Sequence, residues 1–171
     1  ETEKIEAMDN LIAWLPASIP AGDETSIVHG DYRIDNVIFH PSEPRILAVL
    51  DWELSTLGHP LADFAYHCMA WRIPPGVFRG LGAIDFAALG IPTEREYVAA
   101  YCRRTGREGI AARDWEYYMA YNMFRIAAIL QGVLARALQG NASSAEALQT
   151  GRAARPISEL AWAQVERLKL S

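Results

Sequence analysis

The sequence predicts an α+β domain, mainly helical, that carries one small β-hairpin. Three observations predict it. The longest periodic segment, Asp114 to about Gln139, repeats apolar side chains at steps of three or four through Trp115, Met119, Met123, Ile126, Ile129 or Leu130, Val133 and Ala137. Two runs rich in β-branched residues, Val37-Ile38-Phe39 and Ile46-Leu47-Ala48-Val49-Leu50, flank Pro41-Ser42-Glu43-Pro44-Arg45, whose prolines mark a turn. A length of 171 residues with 51% apolar and 22% charged residues suits a single domain, 1–171, with a core of its own.

Composition also narrows the partners. A net charge of -5 leaves no basic footprint, so nucleic acid is not expected. Cys68 and Cys102 are too few and too far apart for a disulfide framework or a zinc knuckle, and a reducing, cytoplasmic compartment is the expectation. Nothing resembles a signal peptide or an uninterrupted membrane span, so no membrane partner is expected either.

Taken in order, Ile5, Met8, Ile12 and Leu15 give Glu3 to Leu15 a helical spacing, which Pro16 to Gly22 ends. A polar approach, Asp23 to Ser26, leads to the short apolar run Ile27-Val28, which delivers His29-Gly30-Asp31 to the hairpin. Gly58-His59-Pro60 reads as a turn and Leu61 to Trp71 as a helix, broken by Ile73-Pro74-Pro75-Gly76. Val77 to Pro92 is an irregular connection of a length that is commonly functional, placed to border an acceptor pocket. Thr93 with Glu96 forms a capping box opening a helix to about Arg104, closed near Gly106. Ala145 to Leu170 is helical in composition, with Pro156 expected to kink or divide it.

The chemistry concentrates between Ile27 and Asp63. In an antiparallel hairpin the start of one strand lies beside the end of the other, so Asn36 and Asp51 are expected to meet. Amide and carboxylate oxygens suit a hard ion such as Mg²⁺, which takes one or two carboxylates plus substrate phosphates. Asp31, on the loop into Asn36, is placed to accept a proton from a hydroxyl beside that metal. Arg33 could reach a phosphoryl group in flight or serve as a solvated ion-pair member. Phosphoryl transfer asks the protein mostly to position groups and neutralise charge, so a base, a metal pair and one cation suffice.

His29-Gly30-Asp31 with Asn36, followed by Asp51-Trp52-Glu53, resembles the motifs of the aminoglycoside phosphotransferase and choline kinase superfamily, relatives of the protein kinases. The runs HGDYRIDNVIFHP and LAVLDWELSTLGHPLADFAYHCMAW look most like the phosphotransferase domain of acyl-CoA dehydrogenase family proteins. The resemblance is specific from about Ile27 to Trp71. It implies Asp31 as base, Asn36 and Asp51 as Mg²⁺ and ATP ligands, and Asp63 as a brace for the loop. It also puts Arg33 where protein kinases have a lysine two residues after the base. A complete kinase has a preceding lobe with a glycine-rich loop and a lysine paired to a helix glutamate. The 26 residues before Ile27 hold one glycine, Gly22, and the chain begins at Glu1 without a methionine. The expectation is therefore the C-terminal lobe of a protein-kinase-like fold, without its nucleotide-covering N-terminal lobe and inactive on its own.

Asp63 follows Asp51 by only twelve positions, which leaves little room for a peptide platform and favours a small-molecule hydroxyl acceptor. A hydroxyacyl thioester is suggested by the resemblance, with choline or an aminoglycoside as alternatives. Glu53, Trp71, Arg72, Tyr121 and Arg125 are candidate substrate contacts, with Tyr66, His67, Tyr118 and Asn122 beside them; such aromatics are more often core than ligand-binding. His29 is read as a loop brace, and Asp63 as a brace or the cap of its own helix. Glu53 could join a second metal, contact the acceptor or be a polar loop residue. Two other classes are a noncatalytic scaffolding lobe and a metal hydrolase built on His29, Asp31, Asp51 and His59.

Overall fold

The computed structural model describes residues 2–141 and 146–170. Helices α1 (Glu6–Ala17), α2 (Pro60–Cys68), α3 (Glu94–Thr105), α4 (Ala112–Leu138), α5 (Ala147–Gly151) and α6 (Ala154–Leu170) dominate. Strands β1 (Ser26–Val28), β2 (Val37–Phe39), β3 (Ile46–Val49) and β4 (Thr56–Gly58) form two small antiparallel pairs.

α4 is the axis of the lobe. Its 27 residues bury Trp115, Tyr118, Met119, Met123, Ile126, Leu130 and Leu134, a spread wider than one stripe, because α1, α2, α5 and α6 all pack on it. Ile5, Leu11, Ala65, Ile73, Ile157 and Val165 from the surrounding elements complete the core. α5 comes so close that a Cβ on Gly151 would sit 2.7 Å from the Leu134 Cβ, so only glycine fits there.

Most expected elements are present, with shifted limits. α1 runs on through Pro16 to Ala17, since a proline in the last turn forfeits one hydrogen bond without losing the helix. α2 stops at Cys68, and Met69–Trp71 continues it as a single 3-10 turn. α3 has the expected reciprocal capping box between Thr93 and Glu96, and Gly106 ends it in the left-handed conformation at φ 72. Pro156 neither kinks nor divides the last segment. The break lies at Arg152 and Ala153, and Pro156 occupies the first turn of α6, where backbone N–H groups have no intrahelical partner to lose. Ala145, the expected start of that segment, lies outside the described residues.

The β2–β3 hairpin pairs Val37 with Val49 and Ile38 with Ala48, then slips before Phe39 pairs with Ile46. Leu50 leaves the strand, but its N–H donates to the Asn36 carbonyl at 2.8 Å, so the two ends of the hairpin meet. The β1–β4 pair, Ser26 with Gly58 through Val28 with Thr56, has no apolar alternation to announce it. It closes a loop around everything from His29 to Ser55. Residues 77–92 form a chain of turns tied back by Leu81 N–H to Ala70 O at 2.7 Å, Gly82 N–H to Ile73 O at 2.8 Å and the Trp71 indole to Pro92 O at 2.9 Å. Among the described residues no helix is long and apolar enough to cross a membrane.

Arg72, one of the candidate substrate contacts, forks onto Glu94 at 2.6 and 2.8 Å and reaches Glu116 at 2.5 Å and Gln164 at 3.0 Å, joining α3, α4 and α6. The Trp115 indole also donates to Glu94 at 2.8 Å. Burial pushes the Glu94 carboxyl upward, but these donors outweigh it and hold it below the ordinary glutamate range.

Replacing Arg72 with alanine leaves two carboxylates without their cation and is expected to lower unfolding free energy by about 3 kcal/mol, read as a lower urea midpoint at unchanged slope. Because Glu94 is depressed in the fold, its contribution is complete above the unfolded value, about pH 4.3, and disappears as pH falls through the lower folded value. On acidification from about pH 5 to about pH 3 the wild type should therefore lose more stability than Arg72→Ala.

Candidate active site

The loop between β1 and β2 is held by backbone contacts before any side-chain chemistry is considered. The Asp63 carboxylate, in the first turn of α2, accepts the His29 N–H at 2.7 Å and the Gly30 N–H at 2.9 Å. Gly30 sits at φ 81, and a Cβ there would lie 2.6 Å from the Leu54 carbonyl oxygen, so glycine is required twice over. The His29 ring spans the gap to the hairpin. Its Nδ1 accepts from the Asp31 N–H at 3.2 Å and its Nε2 donates to Leu50 O at 2.7 Å. With both nitrogens engaged, His29 is not available as a metal ligand.

Asp31 emerges from this frame with its carboxylate surrounded by donors. Oδ2 accepts from Arg33 Nε and Asn36 Nδ2, each at 3.0 Å, and Oδ1 accepts from Tyr66 Oη at 2.5 Å. Burial raises its pKa, but the bonds from Tyr66, Arg33 and Asn36 more than offset it, leaving an ionised carboxylate below the usual aspartate range. The Asn36 amide, 6% exposed, also donates to the Asp31 carbonyl at 2.9 Å. That fixes which end of the amide faces Asp31 and turns Oδ1 the other way. Asp51 follows the Leu50 residue bonded to Asn36 and adopts the left-handed conformation at φ 65, ψ 52. Such a conformation costs a non-glycine residue about 1 kcal/mol and persists where surroundings impose it. Its exposed carboxylate has no hydrogen bond or ion pair among the described residues. Asn36 and Asp51 could thus offer a hard cation one amide and one carboxylate oxygen. Among the described residues no three His, Cys, Asp or Glu side chains converge on a cage, and His59 stacks on Tyr118 instead of approaching Asp31, so the hydrolase alternative lacks a ligand set.

A cavity of about 440 Å³, mostly apolar, adjoins this group. Ile34, Tyr66, His67, Trp71, Phe78 and Leu81 line it, with Arg33, Asp35 and Arg79 at one side. Burial lowers the pKa of His67, which is neutral and adds no charge. Asp35 is held by Arg33 at 2.7 Å and Arg79 at 2.9 Å.

Of the expected substrate residues, Trp71 lines the cavity and the irregular 77–92 connection borders it. Arg125 does not line it. Its Nη2 donates to the Gly30 carbonyl at 2.6 Å and its guanidinium lies 5.1 Å from the Tyr66 ring centre. Tyr121 is exposed on α4 outside the cavity, Glu53 is exposed in the turn after Asp51, and Tyr118 packs in the core. Asn122 is buried, donating to Ala62 O and Tyr118 O at 2.9 Å each. The contact of Tyr66 with Asp31 was not foreseen. Its signal was nevertheless present, because Tyr66 lies three residues after Asp63 and therefore on the same helical face.

A mainly helical fold with two small antiparallel strand pairs is consistent with a kinase-like phosphotransferase. This chain belongs to the phosphotransferase enzyme family, whose family model matches residues 1–121. It is 51% identical over 164 residues to acyl-CoA dehydrogenase family member 10 of Mus musculus, covering 95% of this chain and 15% of that protein. It is 41% identical over 173 residues to acyl-CoA dehydrogenase family member 11 of Rattus norvegicus, covering 99% and 22%. A crystal structure from Ralstonia eutropha, provisionally described as an aminoglycoside phosphotransferase, superposes with a TM-score of 0.91 at 59% identity, over 98% of this chain and 51% of that one. The chain thus spans about a fifth or less of these curated relatives and half of the solved one.

Asp63→Ala would leave the His29 and Gly30 amides without acceptors beneath the loop. It is expected to cost about 2 kcal/mol and to speed amide exchange selectively at residues 29–31, measured by hydrogen exchange with the core of α4 as the internal control.

Proposed function

We propose that this chain is the acceptor-binding lobe of a small-molecule kinase that transfers the γ-phosphate of ATP to a hydroxyl group. The observation that carries the proposal is the ionised Asp31 carboxylate, held by Arg33, Asn36 and Tyr66, two of which, Arg33 and Tyr66, line an apolar cavity. Asp31 is the base. The acceptor oxygen bonds to the γ-phosphorus, the bond to ADP breaks, and the hydroxyl proton passes to Asp31. Arg33 sets a guanidinium beside that transfer, where negative charge must be met. Asn36 and Asp51 are the residues that would hold Mg²⁺, which when bound neutralises the triphosphate. Their hard oxygen donors fit that ion.

The cavity favours a hydroxyl carried on an apolar chain. Its size falls within the range of small-ligand pockets. A cationic acceptor such as choline or an aminoglycoside would call for carboxylates, and the lining offers only Asp35, already bonded to two arginines. A hydroxyacyl thioester matches this lining better. The exposed apolar side chains of the hairpin, Ile38, Phe39, Ile46 and Leu47, need a cover. A nucleotide-covering lobe within the longer protein is the partner proposed for them, the half of the solved relative outside the match being large enough to supply it.

In the full-length protein, Asp31→Asn is expected to lower turnover by about 10²-fold or more without a matching change in KM, measured by coupled ADP release with a hydroxyacyl thioester as acceptor. Near-normal turnover would instead reject Asp31 as the base, whereas absence of MgATP binding in a calorimetric titration would favour the noncatalytic scaffold. Across a panel of hydroxyacyl thioesters, kcat/KM should climb with each added methylene until the cavity is filled, by up to about fourfold per step. Choline and kanamycin should fall below the whole series; either one ranking first would sink the apolar-acceptor reading.

A further inference from the structure

An ionised carboxylate has about four lone-pair positions, two on each oxygen. On Asp31 both positions of Oδ2 are taken, by Arg33 Nε and Asn36 Nδ2 at 3.0 Å each. Oδ1 accepts only Tyr66 Oη, at 2.5 Å, among the described residues. One lone pair therefore remains on the whole carboxylate, and it belongs to the oxygen bonded to Tyr66. Tyr66 and Arg33, which hold different Asp31 oxygens, both line the apolar cavity, so the carboxylate is bonded to two residues of the cavity wall.

The phenol is well placed to decide this arrangement. It is buried on α2, one helical turn beyond Asp63, so a single face of one helix grips the loop backbone at His29 and Gly30 and the Asp31 side chain as well. Arg125 covers its ring and ties to the Gly30 carbonyl, fixing the ring against the same loop. Burial and the adjoining carboxylate both keep the phenolic proton in place, so Tyr66 remains a donor. Without that donor the carboxylate is held through Oδ2 alone, by Arg33 and Asn36, and Oδ1 loses the contact that fixes its direction.

We propose that Tyr66 is a positioning residue: it holds the Asp31 carboxylate so that Oδ1, beside the phenol, receives the acceptor hydroxyl from the cavity. The inference rests on the reading of Asp31 as base. It assigns to the phenol a role in orientation, made through Asp31 and not through contact with the reacting phosphorus.

The test uses the full-length protein with MgATP and a hydroxyoctanoyl thioester. Tyr66→Phe is expected to lower kcat about 10- to 100-fold, with both KM values and the thermal midpoint nearly unchanged, because misplacement of a base is felt in the transition state. Two further replacements at position 66 have the shape of tyrosine and separate donation from packing. 4-Aminophenylalanine keeps a donor at the para position and should recover most of kcat; 4-methylphenylalanine has none and should not. A 4-methylphenylalanine enzyme within about twofold of wild-type kcat, or one whose loss is confined to KM, overturns the assignment. Asp31→Asn is assayed in parallel. If it too turns over normally, the base reading has failed; if it is inactive while the 4-methylphenylalanine enzyme is not, only the role of Tyr66 falls.

Discussion

Two backbone amides donate to one carboxylate, and the geometry of the candidate site descends from that contact. Asp63 takes the N–H groups of His29 and Gly30 at 2.7 and 2.9 Å, tying an otherwise irregular loop to the first turn of α2. α2 is itself packed on α4 through Leu61, Ala65 and Tyr66. A loop of this kind has no ladder of its own to satisfy its backbone, so the carboxylate supplies what a strand would otherwise provide. Rigidity passes from the core of the lobe to the loop by this route, and the proposed base inherits it.

The same economy shows in His29 and Arg125. Neither is needed to touch a substrate, yet each joins parts of the site that are distant in sequence. His29 bridges the Asp31 amide to the Leu50 carbonyl at the far end of the hairpin, and Arg125 reaches from α4 to the Gly30 carbonyl. Arg72 does comparable work lower in the lobe, where its fork onto Glu94 and its bond to Glu116 join the start of α3 to α4. Two arginines among the candidate substrate contacts thus also make bonds within the fold, because a guanidinium with five fixed donors meets carboxylates and carbonyls there as readily as in a ligand.

The chemistry proposed here divides between a charged edge and an apolar hollow. Asp31, Asn36 and Asp51 lie on and beside the hairpin, whereas Trp71, Phe78 and Leu81 line the apolar cavity. Membership of the phosphotransferase family supports the class of reaction proposed. In the proposed reading, the apolar wall is what this chain contributes to the choice of acceptor.

Much of this was legible from local pattern. The period of α4, the Thr93–Glu96 capping box and the hairpin that brings Asn36 and Asp51 together follow from side-chain spacing and turn chemistry, which act over a few residues. The kinship was legible too, in His29-Gly30-Asp31 and Asp51-Trp52-Glu53. The β1–β4 pair, the commitment of Arg72 and Arg125 to the fold and the bond from Tyr66 to Asp31 were not. Each joins residues tens of positions apart, and no sequence spacing specifies which donor will meet which acceptor. By itself the sequence determined the elements and the identity of the chemically able side chains. Only packing on α4 decided which of them bond to one another, because a polar group bonds to whatever partner the fold brings within 3 Å or so.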